Sequence, residues 1–184
     1  MPPAFEEDRR EDLSTMTKNT LFLLSLCLTF QTSLSVAENA AVPPAANDIE
    51  LPKHYKNWRL IGVSHREDNN SLRAILGNPV AIAAARSGNT NPWPDGTILA
   101  KLVWPDSRHP LWDEATVPRE LKHAEFMIKD SVKYARTSGW GFARWLGKGQ
   151  KPYGSDASFS AECHSCHSKA SDYDYVFTRP VPLP

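Results

Sequence analysis

Near its C-terminus the chain reads Cys163-His164-Ser165-Cys166-His167, and this stretch decides what the rest of the fold has to accommodate. Two thiols at this spacing can add to the two vinyl groups of one haem, and the imidazole that follows them is placed to bind the iron. Both cysteines must then lie on one helical turn. The pattern therefore predicts haem c attached through Cys163 and Cys166, with His167 as the proximal ligand of the iron.

A redox-active cysteine pair and half of a zinc site are the alternative interpretations of this spacing. A zinc site needs two further ligands, and the sequence contains neither a second CxxC pair nor an HxxxH pair. A thioredoxin-like pair is expected in a βαβ context, which the surrounding sequence does not have. Covalent haem attachment is therefore the favoured interpretation.

Residues 1–37 have the pattern of an export signal and are expected to be removed from the mature protein. A basic residue precedes the apolar run 21–28, and Ser35-Val36-Ala37 has small residues where a signal peptidase cleaves. The acidic stretch 6–12 does not suit the basic start of a signal, so translation is expected to start at Met16. The apolar run is shorter than the roughly 20 residues of a membrane span. We expect a periplasmic protein without a membrane span.

Cleavage after Ala37 leaves about 150 residues, an ordinary size for one domain built around a haem. The same cleavage removes Cys27, so the mature chain keeps only the two cysteines of the CxxCH motif. The mature chain has a net charge of about +2, which argues against a nucleic-acid partner. We divide the chain into the non-mature segment 1–37, a Pro/Ala-rich linker at 38–50 and a haem domain at 51–184.

The haem domain is expected to be mainly β, an α+β fold with a five-stranded antiparallel sheet and a few helices. Five segments have the alternating apolar pattern of strands, namely residues 57–66, 71–76, 97–104, 121–128 and 140–146. The first two are separated by Glu67-Asp68-Asn69-Asn70, a polar turn that predicts a hairpin. A last extended piece is expected at 175–178.

Three helices are predicted between and after these strands. Asn78-Pro79 opens an alanine-rich stretch to Arg86, with asparagine at the N-cap and proline in the first turn, and Gly88 ends it. A short helix is expected within residues 131–136. Asp156-Ala157-Ser158 offers capping side chains for the helix that carries the CxxCH motif near the C-terminus.

The second axial position of the iron distinguishes an electron carrier from a catalyst. A carrier fills both axial positions, often with histidine and methionine. The mature chain has one methionine, Met127, and therefore one candidate for such a ligand. The four histidines outside the motif show no ligand spacing with one another and are expected to be structural; they are His54, His65, His109 and His123. His164, which lies within the motif, is expected to face solvent. An open distal position is therefore favoured.

Ordered sequence blocks along the domain resemble those of the cytochrome P-460 proteins. The blocks are Gly96-Thr97-Ile98-Leu99-Ala100-Lys101, Glu125 with Lys129-Asp130-Ser131, Trp140 with Phe142, Ala161 through His167, and Val176-Phe177-Thr178-Arg179. The resemblance runs from residue 51 to residue 179. It implies an antiparallel sheet with a few helices, a homodimer, and a haem attached near the C-terminus. The β-sheet cytochromes c′ form a sister group with the same fold.

The resemblance also implies roles for three side chains. Lys101 stands where the family has a lysine that forms a third covalent bond to the haem macrocycle. Glu125 matches a distal carboxylate that accepts protons, and burial beside the haem is expected to raise its pKa toward neutrality. Arg73 resembles a distal arginine that holds a propionate or a polar ligand. Without the resemblance, Lys101 indicates an edge strand, and Glu125 and Arg73 indicate a solvated surface.

The activity implied by the resemblance is oxidation of hydroxylamine or nitric oxide at a five-coordinate haem, with electrons passed to an acceptor cytochrome. The sister group lacks the lysine cross-link and binds gases, so binding of nitric oxide or carbon monoxide without turnover is an alternative. A simple electron-transfer cytochrome is the third interpretation, and it requires Met127 at the iron.

Overall fold

The structure, a computed structural model, describes residues 41–182 and consists mainly of one antiparallel sheet. The strands are β1 (Arg59–Arg66), β2 (Ser71–Gly77), β3 (Ile98–His109), β4 (Trp112–Pro118), β5 (His123–Lys129), β6 (Trp140–Leu146) and β7 (Lys151–Pro152), and the helices are α1 (Pro79–Ser87) and α2 (Phe159–His167). The order across the sheet is β1-β2-β3-β5-β6-β7, with β4 paired to β3. The predicted mainly-β class is confirmed. The predicted export signal, its cleavage after Ala37 and the start at Met16 lie outside the described residues.

All five predicted strands are present. The sheet also contains two strands, β4 and β7, that were not predicted from the sequence. β3 continues past residue 104, where the predicted strand ends, as far as His109, and the chain turns back as β4. Most side chains of β4 are exposed, so no apolar alternation marked it as a strand. β7 has only two residues and is too short to produce a pattern.

The predicted hairpin of β1 and β2 is confirmed. Its turn is the 3-10 segment Glu67–Asn69, followed by Asn70 in the left-handed region at φ 47°, which asparagine tolerates better than most residues. β1 contains a bulge between Leu60 and Gly62. A side chain at position 62 would collide with the side chain of Thr178, so this glycine lets the C-terminal segment pass close to β1.

Helix α1 begins at Pro79, as predicted, and ends at Ser87, one residue after the predicted end at Arg86. The side chain of Asn78 accepts a hydrogen bond of 2.9 Å from the N–H of Ala81, as an N-cap does. Gly88 follows the helix in the left-handed region at φ 73°, as expected of a C-terminal glycine. Ala81 and Ala84 are buried against the sheet.

Two other predicted elements are absent or shorter. Within 131–136 the chain makes turns and only the 3-10 segment Ala135–Thr137, because Ser138 and Gly139 follow in the left-handed region at φ 56° and 82°, which ends a helix. The predicted extended piece at 175–178 pairs with no strand. Its first residue, Tyr175, has a positive φ of 64° and so leaves the extended region.

One face of the sheet packs against the N-terminal part of the described chain. This face carries buried small and aromatic residues, namely Ala100, Ala124, Phe126, Ala143 and Trp145. Residues 41–50, which the sequence placed in a linker, belong to this core, since Ala45 and Ile49 are 2% and 4% exposed. The Trp145 indole also donates to the Pro43 carbonyl. The domain therefore begins before residue 51. The sequence did not predict this boundary, because two isolated apolar side chains give no strand or helix pattern. Within 41–182, no helix is long and apolar enough to cross a membrane.

Candidate haem site

The other face of the sheet forms one wall of a cavity of about 960 Å³. Helix α2 and residues 176–179 of the C-terminal segment supply other parts of its lining. Small-molecule and cofactor sites occupy about 300–1,000 Å³. The cavity is therefore large enough to hold a cofactor.

Two rows of paired residues run across the strands of this wall. The charged row consists of Lys101, Glu125 and Arg144 and ends at the apolar Ile75 on β2. The apolar row consists of Gly77, Leu99, Met127 and Phe142. Residues that lie opposite one another in antiparallel strands have Cβ atoms about 4.5–5.5 Å apart and point to the same face. The register of the strands therefore brings charged residues that are distant in the sequence into one line.

The CxxCH motif lies on α2, as predicted, and both of its cysteines line the cavity. Cys163 is half-buried, Cys166 is exposed, and neither forms a disulfide within the described residues. Burial raises the pKa of the Cys163 thiol, so this group stays protonated at neutral pH. Two unbridged thiols on one helix are the arrangement that attachment to two vinyl groups requires.

The His167 imidazole is held in one tautomer by a backbone carbonyl. Its Nδ1 lies 2.7 Å from the carbonyl oxygen of Tyr175. A carbonyl can only accept a hydrogen bond, so Nδ1 carries the proton and the Nε2 lone pair is free to bind a metal. The ring packs between Phe142 and Phe177, with centroids 5.3 and 5.2 Å away. Burial lowers the pKa of His167, which favours the neutral form that a metal ligand needs.

Glu125 is the centre of the charged row. Its carboxylate forms ion pairs with the Lys101 ammonium and with Arg144 at 2.7 Å, and it accepts a hydrogen bond from His123 Nε2 at 3.2 Å. Burial alone would raise the pKa of Glu125, but His123, Lys101 and Arg144 together hold it well below its usual range. The expectation of a raised pKa was therefore wrong for this structure, because the sequence indicated burial but not three cationic or hydrogen-bonding partners.

Two arginines on the cavity wall have buried N–H groups without a partner. The Nε atoms of Arg73 and Arg144 are buried, and neither has a hydrogen-bond partner among the described residues. The Arg144 guanidinium stacks on the Tyr153 ring at 4.5 Å. Burial lowers the pKa of Arg73. Buried N–H groups of this kind normally have partners, and the propionates of a haem are anionic groups that could supply them.

The structure brings all six predicted site residues to one cavity, although their chemical roles stay predictions. They are Arg73, Lys101, Glu125, Cys163, Cys166 and His167. Met127, the single methionine candidate for a sixth ligand, also lines the cavity.

Two residues of the site were not predicted from the sequence, His123 and Arg144, and the surroundings of His164 beside the site differ from the prediction. His123 was expected to be structural, although its alternation with Glu125 on β5 already placed both on one face. Arg144 could be recognised only from the register that sets it opposite Glu125. His164 is half-buried instead of fully solvent-facing, because it stacks on the Tyr175 ring at 5.1 Å and hydrogen-bonds Ser138 at 3.1 Å. The C-terminal segment that covers it had no pattern from which this fold-back could be predicted.

The residues present fit a haem with covalent attachment. The cavity is large enough, His167 presents a free Nε2, two thiols are unbridged, and two arginines on the wall have buried N–H groups to share. A bis-cysteine zinc site fits less well, since no cluster of three or more metal-ligating side chains occurs in residues 41–182.

Comparison with known proteins supports the same cofactor. Residues 52–178 match the family model described as Cytochrome P460, a span that contains all seven strands, α2 and the six predicted site residues. No curated protein matches the sequence. The family match covers more than half of the chain and implies a haem with its iron. The chain belongs to the cytochrome P460 family.

Proposed function

We propose that this protein is an exported c-type haem enzyme that oxidises hydroxylamine or nitric oxide at an iron with an open distal position. The observation that carries the proposal is the place of Lys101. This lysine lies on β3, lines the cavity that the CxxCH motif also lines, and forms an ion pair with Glu125. At this position β3 is paired on both sides, with β2 and with β5. The interpretation of Lys101 as an edge-strand lysine is therefore wrong.

The chain supplies the groups that would hold the cofactor. Cys163 and Cys166 would form the thioethers, and His167 would bind the iron through Nε2. Arg73 and Arg144 would donate their buried N–H groups to propionates. The bound haem would supply the iron that binds the nitrogen substrate and takes up its electrons, which then pass to an acceptor cytochrome.

The ion pair with Glu125 keeps Lys101 on the cavity wall, and the proposal includes a third covalent bond from this lysine to the haem. Starting from the ammonium, a bond between Nζ and a haem carbon would replace two N–H bonds and one C–H bond with one C–N bond. This change would release three protons and two electrons, so it would need an external two-electron oxidant such as a peroxide. Glu125, in contact with the ammonium, is the nearest group that can accept a proton.

The same bond would change the chemistry of Glu125. An amine bonded to the macrocycle no longer carries the positive charge of Lys101, so one of the causes that lower the pKa of Glu125 disappears. His123 and Arg144 remain as the other two causes. We therefore propose that Glu125 becomes a better proton acceptor once the cross-link has formed, as a general base for substrate oxidation requires.

The optical spectrum of the purified, dithionite-reduced protein, produced with a cytochrome c maturation system, tests the proposal. A strongly red-shifted and broadened ferrous Soret band is expected for the wild type, and an ordinary c-type spectrum for Lys101→Arg. Lys169→Arg is the matched control, because Lys169 also lines the cavity but lies outside the sheet. If Lys101→Arg keeps the wild-type spectrum and the haem peptide has no link to residue 101 by mass spectrometry, the cross-link is disproved.

Two other functions use the same cavity. A gas-binding protein without a cross-link would bind carbon monoxide or nitric oxide rapidly and would not turn over hydroxylamine. An electron carrier would use Met127, which lies in the apolar row of the wall, and would show a sharp low-spin spectrum that changes in Met127→Leu.

The proposal also includes the periplasmic location and the homodimer that the sequence implied.

A further inference from the structure

We infer that a buried ion pair between Lys129 and Asp174 positions the proximal histidine by fixing the Tyr175 carbonyl to which His167 is bound. The inference rests on His167 as the ligand of the haem iron. It does not depend on the cross-link or on the proposed substrate. Lys129 and Asp174 are positioning residues in this account, since neither is proposed to touch the iron.

The chain adopts an unusual conformation at the carbonyl that holds His167. Asp174 and Tyr175 have φ values of 49° and 64°, so two consecutive residues other than glycine lie in the left-handed region. Such residues are uncommon, and they persist where surrounding contacts compensate for the backbone strain. The Tyr175 carbonyl then accepts the 2.7 Å hydrogen bond from His167 Nδ1. A segment held against its own preference at this place calls for a cause in the neighbouring structure.

The contacts of Asp174 supply that cause. Lys129 Nζ lies 2.7 Å from one carboxylate oxygen, and the N–H of Trp93 donates to the other at 2.8 Å. The Trp140 indole donates to the Asp174 backbone carbonyl at 2.8 Å. The side chains of Lys129 and Asp174 are 7% and 9% exposed, and a buried charge requires its partner. Three separate parts of the chain therefore hold Asp174 next to Tyr175.

Tyr175 is also held from its other side. Its ring stacks on His164, the histidine within the CxxCH motif, and His164 hydrogen-bonds the Ser138 side chain. The Ser138 carbonyl in turn accepts from Lys129 Nζ at 3.4 Å. Lys129 thus contacts both Asp174 and Ser138, and these lead to Tyr175 by two routes. The arrangement is a closed ring of contacts around the carbonyl that orients His167.

The ring of contacts predicts a specific effect on the iron. When a histidine binds a metal through one ring nitrogen, a hydrogen bond from its other ring nitrogen fixes the ring and makes the ligand more basic. If the carbonyl can move, this bond lengthens and His167 becomes a weaker donor. The ferrous iron–histidine stretching frequency should then fall, and the midpoint potential should rise because ferric iron loses more stabilisation than ferrous iron.

The test compares the holoprotein with the double variant Lys129→Met/Asp174→Asn, which removes both charges together and keeps similar side-chain volumes. Resonance Raman spectroscopy gives the iron–histidine frequency, and a redox titration gives the midpoint potential. Lys148→Met is the matched control, because the Lys148–Glu120 ion pair is exposed at 72% and 80% and should contribute little. We expect a lower frequency and a higher potential in the double variant and wild-type values in the control.

A purely structural ion pair gives a different result. It would lower the melting temperature and leave both the frequency and the potential unchanged, and this outcome overturns the inference. If the double variant does not fold, Lys129→Arg, which keeps the charge but moves the donor, and Ser138→Ala, which frees His164, replace it. A shift of the frequency in either variant supports the inference, and wild-type values in both overturn it. Absence of the cross-link would disprove only the proposed function, since these measurements need only a His167-bound haem.

Discussion

Lys101 and Glu125 lie directly opposite each other on β3 and β5, and their side chains form an ion pair on the cavity wall. The pairing places a potential cross-linking amine and a potential proton acceptor in direct contact. Arg144 extends the same row on β6, and it contacts the same carboxylate. Any change to one of these three side chains therefore alters the charge felt by the other two.

Glu125→Gln should slow hydroxylamine oxidation by about 10²-fold or more, the usual contribution of a general base. The haem content should remain at the wild-type level, because neither the cysteines nor His167 change. Steady-state turnover with an artificial electron acceptor measures the effect. Glu162→Gln is the control, since Glu162 also lines the cavity but lies on α2 away from the charged row. Wild-type turnover in Glu125→Gln would show that Glu125 is not the base.

Arg144→Met should shift the acidic limb of the rate–pH profile to higher pH. Arg144 is one of the groups that lower the pKa of Glu125, so loss of its positive charge raises that pKa. A base with a raised pKa is protonated, and therefore inactive, up to a higher pH. Arg66→Met is a suitable comparison, because Arg66 lines the cavity but pairs with the exposed Asp68. An unshifted limb in Arg144→Met would argue that another group titrates.

The sequence predicted the parts of the fold that have a periodic or local signal. The hairpin turn at 67–70, the capped helix α1 and the helix of the CxxCH motif all depend on residues close together in the chain. The partners of Glu125 depend instead on strand register, which a run of alternating residues does not define between strands. Arg144 and the Lys101–Glu125 contact therefore became visible only in the structure.

The C-terminal segment shows a second reason why the structure differs from what the sequence predicted. Residues 175–178 have the composition of a strand, and so the sequence favoured an extended piece. The buried Lys129–Asp174 ion pair and the Trp93 and Trp140 hydrogen bonds hold the start of this segment in a left-handed conformation. Long-range contacts with Asp174 thus override the local preference, and they do so beside the carbonyl that binds His167.

Acidification should destabilise Lys101→Arg more than Lys101→Arg/Glu125→Gln, two proteins in which residue 101 keeps its positive charge because the cross-link cannot form. The pKa of Glu125 is lowered in the folded protein, so its stabilising effect is complete above the unfolded pKa of about 4.3 and is lost as the pH falls through the folded value. The difference in the free energy of unfolding between the two proteins should therefore shrink by on the order of 2 kcal/mol between pH 7 and pH 3. Denaturant unfolding at both pH values measures it, and a constant difference would contradict the lowered pKa.

The attachment of the haem can be tested separately from the activity. Cys163→Ser and Cys166→Ser should each leave a single thioether, which reduces the haem that survives a denaturing gel and shifts the pyridine haemochrome band toward that of a haem with one free vinyl group. Both thiols line the cavity on α2, so each is within reach of a cofactor held there. Cys27→Ser is the control, because Cys27 lies in the predicted export signal and should be absent from the mature chain. An unchanged band in either motif variant would mean that the corresponding thioether does not form, whereas a shifted band in Cys27→Ser would mean that Cys27 stays in the chain and is itself bonded to the haem.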